Sequence, residues 1–122
     1  MDIIEKVKKY EDFLIEERRI LHQLPEIGLD TYQTCEEIEK VLIKNKIQYK
    51  KVLGSRGIIA IIDSGKPGKC LAIRADMDAL EIKEDTDLSF KSKNGYMHAC
   101  GHDCHMANAL STLLILNSIK DK

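Results

Sequence analysis

The segment Gly57-Ile58-Ile59-Ala60-Ile61-Ile62-Asp63-Ser64-Gly65-Lys66-Pro67-Gly68-Lys69-Cys70-Leu71-Ala72-Ile73 changes the texture of the chain. Two unbroken apolar runs, Ile58–Ile62 and Cys70–Ile73, flank the loop Gly65-Lys66-Pro67-Gly68. Runs this short, β-branched and bounded by glycines read as strands buried on both faces. Their short connection predicts an antiparallel hairpin. Just upstream, Ile47 and Tyr49 alternate with Gln48 and Lys50 as in a strand, and Gly54-Ser55-Arg56-Gly57 is a turn.

On the N-terminal side the period is helical. Ile3, Val7, Tyr10, Leu14 and Leu21 fall along one side of a helix, with Asp2 at the N-cap and Pro25 stopping the run at Leu24. Thr34 and Glu37 form a candidate capping box for a second helix, whose apolar face is Cys35, Ile38, Val41 and Leu42 and whose exit is Asn45. On the C-terminal side, Asp76 to Ala99 is irregular and acidic, with Asn94-Gly95 as a turn. A loop that long in a small domain is usually functional. A last helix from about Cys104 to Ile119 is apolar almost all round, which predicts burial on every side. The predicted order ααβββα, without internal repeat, is that of an α/β chain in which helices pack a mixed sheet. Nothing in the sequence is left to cover the last helix, so the chain is expected to be the opening of a larger α/β domain.

Composition narrows the function. The 122 residues suffice for one domain with a modest core, and 43% hydrophobic with 32% charged residues is an ordinary globular balance. Net charge is −1, from 19 basic and 20 acidic residues mixed along the chain. Basic clusters such as Lys44–Lys46 and Lys50–Lys51 read as solvated faces and not as a stripe that neutralises phosphates, which argues against nucleic acid. No segment approaches the roughly 18 apolar residues that span a bilayer, so no membrane partner is expected. Asp2 to Asp12 alternates charged with apolar residues, unlike a leader, and the expected location is cytoplasmic. Cys35, Cys70, Cys100 and Cys104 then read as reduced thiols or ligands, Cys35 as a small hydrophobe on a helix face.

Chemistry concentrates in Met97-His98-Ala99-Cys100-Gly101-His102-Asp103-Cys104-His105, which holds three of the four histidines and two of the four cysteines. Imidazole and thiolate each donate a lone pair to a borderline cation such as zinc. Gly101 lets Cys100 and His102 turn the same way, and Asp103 is placed to cap the last helix. Spacing leaves several readings open: a catalytic metal site, a closed zinc knot from Cys100, His102, Cys104 and His105, a redox pair Cys100/Cys104, or chance clustering at a helix start. Arg74-Ala75-Asp76-Met77-Asp78-Ala79-Leu80 ends a predicted strand, where α/β sheets gather ligands; its bland alternative is a salt bridge closing a loop. His22 stands at a helix end, where a histidine commonly meets the helix dipole or caps it.

Taken in order, Arg18-Arg19-Ile20-Leu21-His22-Gln23-Leu24-Pro25-Glu26, Arg74–Leu80 and Met97–Asp103 resemble the aminoacylase-type metallopeptidases. The likeness is to the branch of hippurate hydrolases, N-acetyldiaminopimelate deacetylases and auxin–amino acid conjugate hydrolases. It covers essentially the whole chain but only the first third or so of a typical member. The resemblance implies a zinc-peptidase-like catalytic domain, here residues 1–122 of it, with the lid and dimerisation domain absent. It also implies two divalent ions (Zn, Mn, Co or Ni), with Cys100 and His102 as ligands. A glutamate and two histidines that complete the set, and the glutamate acting as general base, would lie beyond Lys122. Asp76 matches an aspartate that supports a metal ligand from behind; Arg74, standing where other branches carry a ligating histidine, is not counted as one. Arg74, Asp78, His98, Asp103 and His105 are candidate supporting residues. Two positions depart from the branch: Glu81 stands where proline is usual and Cys104 where a small residue is common. The implied activity is hydrolysis of small N-acyl amino acids by a homo-oligomer, a dimer or tetramer, with this stretch alone inactive.

Overall fold

Tyr10 interrupts the first apolar period. The computed structural model describes residues 2–122, and in it Tyr10 (φ −105°, ψ 5°) both ends α1 (Ile3–Lys9) and starts α2 (Glu11–His22). Asp2 caps α1 as predicted, accepting from the Ile4 amide at 2.9 Å. The single predicted helix is therefore two, and only the second reaches the core. Ile3, Ile4 and Val7 are half exposed or more, so that among the described residues little covers the apolar side of α1, whereas Leu21 is buried.

α3 (Tyr32–Lys44) begins ahead of the predicted capping box, and Thr34 lies inside its first turn. Its cap comes from upstream. The Glu26 carboxylate accepts from the amides of Gln33 (3.0 Å) and Thr34 (2.7 Å) and from the Thr34 hydroxyl (2.6 Å). One carboxylate thus meets two otherwise unpaired donors and the positive end of the helix. The exit is at Asn45 as predicted. Lys46 takes a left-handed φ of 54° while the Ile47 amide returns to Leu42 O at 3.0 Å, the usual way a helix closes.

β1 (Gln48–Val52) and β2 (Gly57–Ile61) form an antiparallel pair in register from Gln48↔Ile61 to Val52↔Gly57, joined by the predicted turn. The hairpin expected between Ile58–Ile62 and Cys70–Ile73 does not form. Cys70–Ile73 makes no ladder among the described residues, and Leu71 is 80% exposed. Nor is β2 buried on both faces: Ile58 and Ala60 pack on the core, while Ile59 and Ile61 stand about half exposed. Burial on both faces needs a layer on each, and the described residues supply one.

α4 (His102–Ile119) starts two residues before the expected position, at Gly101 with φ 109°. Met106, Ala107, Leu110, Ser111 and Leu114 are buried, and α4 packs chiefly against α2. The expected burial all round is not reached. Ala109, Leu113 and Leu116 line an open apolar groove of about 870 Å³, with Ile59, Ile61 and Leu71 among its other walls. The core joins Leu21 of α2, Ile38, Val41 and Leu42 of α3, Ile47, and Met106, Leu110 and Leu114 of α4. Mixed α/β character stands, with three helices, two strands and a fourth helix as the order. No helix among the described residues is long and apolar enough to cross a membrane.

Because Glu26 alone caps α3 from its side chain, Glu26→Ala should lower stability by roughly 1–2 kcal/mol, the range for losing a helix cap. Urea unfolding followed by helical circular dichroism checks this.

Candidate functional site

The three sequence motifs meet at their backbones. Ile27 pairs with Ala79 in a parallel bridge, and the Ala79 amide donates to Glu26 O at 2.7 Å. Leu80 and Met97 exchange amide–carbonyl bonds of 2.9 and 3.0 Å. Asn94 Nδ2 donates to Pro25 O at 2.8 Å. The irregular stretch from Asp76 to Ala99 is thus fixed by polar contacts, with little regular structure of its own.

His22 lies at the centre of this meeting point. It is 1% exposed; Nδ1 is 2.7 Å from Asp103 Oδ2 and Nε2 is 2.8 Å from Glu84 Oε1. Both contacts are hydrogen bonds at once when the ring carries both protons, since carboxylate oxygens only accept. Arg18 Nε forms an ion pair with the same Asp103 oxygen at 2.9 Å, and Arg18 and Arg19 lie over the ring of Phe90, which packs edge-on to His22. Glu84 is buried and also accepts from the Ser92 amide (2.9 Å) and the Thr86 hydroxyl (2.5 Å). Burial pushes its carboxyl up, but the Ser92 amide, the Thr86 hydroxyl and His22 together outweigh burial and bring its pKa below the ordinary value.

Asp103 does not cap α4 as expected. It sits in the first turn, fully buried, accepting from its neighbour Cys104's amide at 2.9 Å as well as from His22. Its carboxylate therefore ties the start of α4 to α2. Directly before it, His102 Nδ1 is 2.8 Å from the carbonyl oxygen of Asp78 and 3.2 Å from that residue's carboxylate. A carbonyl can only accept, so Nδ1 carries a proton, and in the neutral ring that leaves the lone pair on Nε2. Histidines that bind metals are commonly oriented in this way by a partner on the other nitrogen. Cys100, with an exposed free thiol, stands two residues before His102, across the left-handed turn at Gly101. This donor pair suits a borderline divalent ion and fits part of a metal site.

The other candidates are placed as follows. Asp76 contacts Arg74, whose Nη2 donates to its Oδ1 at 2.6 Å on the surface; Asp78 is the acid against His102. His98 is 4% exposed with neither ring nitrogen partnered. Burial, opposed by Asp103 and aided by His22 and His102, holds its pKa below the usual histidine value. His105 is exposed, its ring 5.7 Å from that of His102.

The closed knot of Cys100, His102, Cys104 and His105 is not assembled: among the described residues no three His, Cys, Asp or Glu side chains converge to hold a metal. The helix explains this. At about 100° per residue, His102 and His105 share a face while Cys104 points to the other side. Cys100 and Cys104 are free thiols, not a disulfide. Sequence reading missed His22, Arg18 and Glu84 as parts of one cluster. The first two lie in a quoted motif, but Glu84 is one acid among many in an irregular stretch and carries no local signal.

With this geometry in hand, residues 72–122 match the family described as Peptidase family M20/M25/M40. The chain is 42% identical to thermostable carboxypeptidase 1 of Saccharolobus solfataricus, covering 99% of this chain and 32% of that protein. It is likewise 42% identical to N-acetylcysteine deacetylase of Bacillus subtilis, covering 90% of this chain and 30% of the relative. Among solved structures it resembles a dinuclear metal binding peptidase from M20 family of Bacillus subtilis, at TM-score 0.87 and 40% identity over 93% of this chain and 33% of the other. The chain spans about a third of the length of these relatives.

The Glu84 pKa, depressed below its ordinary 4.5, sets a direction for acid stability. A carboxylate favoured in the folded chain contributes stability that is present above its unfolded pKa and lost as pH falls through the lower folded value. Glu84→Gln should therefore flatten the fall in stability below about pH 4.5, besides lowering stability at pH 7. Urea midpoints measured across that range test it; an unchanged acid limb would contradict the assignment.

Proposed function

Since the chain belongs to peptidase family M20/M25/M40, we propose that the whole protein is a metal-dependent amidohydrolase cleaving small N-acyl amino acids to a carboxylic acid and a free amino acid. Residues 1–122 are then the N-terminal part of its catalytic domain. The observation that carries the reading is His102, its Nδ1 held by Asp78 and its place two residues after the free thiol of Cys100. Relatives whose names state deacetylation of an N-acetyl amino acid or carboxypeptidase activity support amide cleavage as the reaction class.

Two divalent ions, when bound, would polarise the amide carbonyl and lower the pKa of water. What this chain contributes is the holding of them. Cys100 supplies a thiolate and His102 an imidazole nitrogen of fixed direction; Asp78 holds the tautomer, and Asp76 supports the ligand set from behind. The remaining ligands and the general base fall to a glutamate pair and further histidines outside these residues. A homo-oligomeric, cytoplasmic enzyme without membrane or nucleic-acid partners completes the proposal. The rival reading, a stand-alone module on Cys100, His102, Cys104 and His105, conflicts with the opposed directions of His102 and Cys104 on α4.

Two outcomes are expected. The 122-residue chain supplied with Zn²⁺, Mn²⁺ or Co²⁺ should not turn over an N-acetyl amino acid, and measurable hydrolysis would contradict the assignment of missing groups. In a cobalt titration, Cys100→Ser should abolish the sulfur-to-metal absorption band while Cys104→Ser leaves it intact; the reverse pattern would sink the ligand assignment.

A further inference from the structure

Glu17 is one of the buried residues of α2, 4% exposed, and its Oε1 is shut off from solvent without a hydrogen-bond partner. A carboxylate in such a place has neither water nor a donor, so the neutral acid is the form favoured there. The charges around it point the same way. Glu16 neighbours it on α2 and Glu37 acts on it from α3, both of them acids. Lys40 of α3 is the opposing cation, but its ammonium is exposed and pairs with Glu37 at 3.2 Å. Lys9, Tyr10 and Lys44 line the same space between the helices, and none of them bonds to Oε1. There α4 brings Leu114 and no charge.

We propose that Glu17 makes the packing of α2 depend on a proton: its carboxyl is neutral in the packed chain, and losing the proton loosens α2 from its neighbours. A proton reaches a group this enclosed during brief local openings and needs no standing channel. Arg18 and His22, which hold Asp103, lie on the same helix, so the loosening acts on the contacts that tie α2 to the start of α4. The device uses none of the proposed metal ligands.

Burial first, then Glu37 and Glu16, push the carboxyl up from 4.5 to about 7, against the pull of Lys40. An acid whose folded pKa is raised costs no stability below its unfolded value, and stability is lost as pH climbs from 4.5 to about 7. Within that window this one proton should lower the folding equilibrium constant about tenfold per pH unit.

The test compares urea unfolding of the 122-residue chain and of Glu17→Gln across the acid-to-neutral range. Glutamine keeps the shape of the neutral acid and cannot ionise, and subtracting the two series cancels every titration they share. The difference should grow in favour of Glu17→Gln by about tenfold in folding constant from about pH 5.5 to about pH 6.5, then level off above about pH 7. A difference that stays constant with pH, or moves the other way, overturns the proposal. A second measurement needs no variant: carbon-13 NMR titration of the Glu17 carboxyl, alongside hydrogen exchange of α2 amides corrected for the intrinsic effect of pH. A midpoint near 7 with α2 protection falling through it supports the device. A midpoint at or below 4.5, as when a lysine meets the carboxylate, or α2 protection unmoved by the titration, overturns it.

Discussion

The imidazole of His22 is gripped by two carboxylates, Asp103 lying 81 residues and Glu84 62 residues further along the chain. All three side chains are within 1% of full burial. Removing one partner of a buried hydrogen bond leaves the other unsatisfied, at about 1–3 kcal/mol and more where it is charged. These contacts therefore join α2, the irregular stretch and α4. Hydrophobic burial brings α2 and α4 together but says little about their rotation; the directional bonds of His22 do.

That rotation decides what the start of α4 presents. Asp103 is held by His22 and Arg18, and the residue before it, His102, is turned toward Asp78. Asp78 in turn is placed by Ala79 and Leu80, which are bonded to Glu26 and Met97. A chain of short contacts thus runs from the first motif to the donor pair Cys100 and His102. For the proposed metal site, a helix start supported by a second layer of hydrogen bonds supplies the fixed geometry that ligands require. The fold is lopsided around this joint. One side of α4 is packed, and the other lines the apolar groove with β2 and Leu71, whose walls include neither Cys100 nor His102.

Local signals in the sequence were reliable where the physics is local. The helical periods of α2 and α3, the cap at Asp2, the exit at Asn45 and the turn before β2 all follow from neighbours in sequence. The density of His and Cys at 97–105 is likewise a local signal, and it is the basis of the proposed site. Failures came where the partner is distant. Thr34 was matched to Glu37 because a capping box looks three residues on, whereas its partner Glu26 lies eight residues back. Cys70–Ile73 has a strand's composition, but a strand forms only against another backbone, and composition cannot say whether one is present. His22 looked like a helix-end residue because Asp103 and Glu84 come near it only once the chain has folded.

A double-mutant cycle between His22 and Asp103, read by equilibrium unfolding at neutral pH, tests the central joint most directly. His22→Ala, Asp103→Ala and the double variant isolate the interaction of the pair from what each residue does alone. The account predicts a coupling of roughly 1–3 kcal/mol, as found for residues in one buried network. Additive effects, with coupling near zero, would mean that His22 and Asp103 do not hold α2 and α4 together, and that the site's geometry rests on something else.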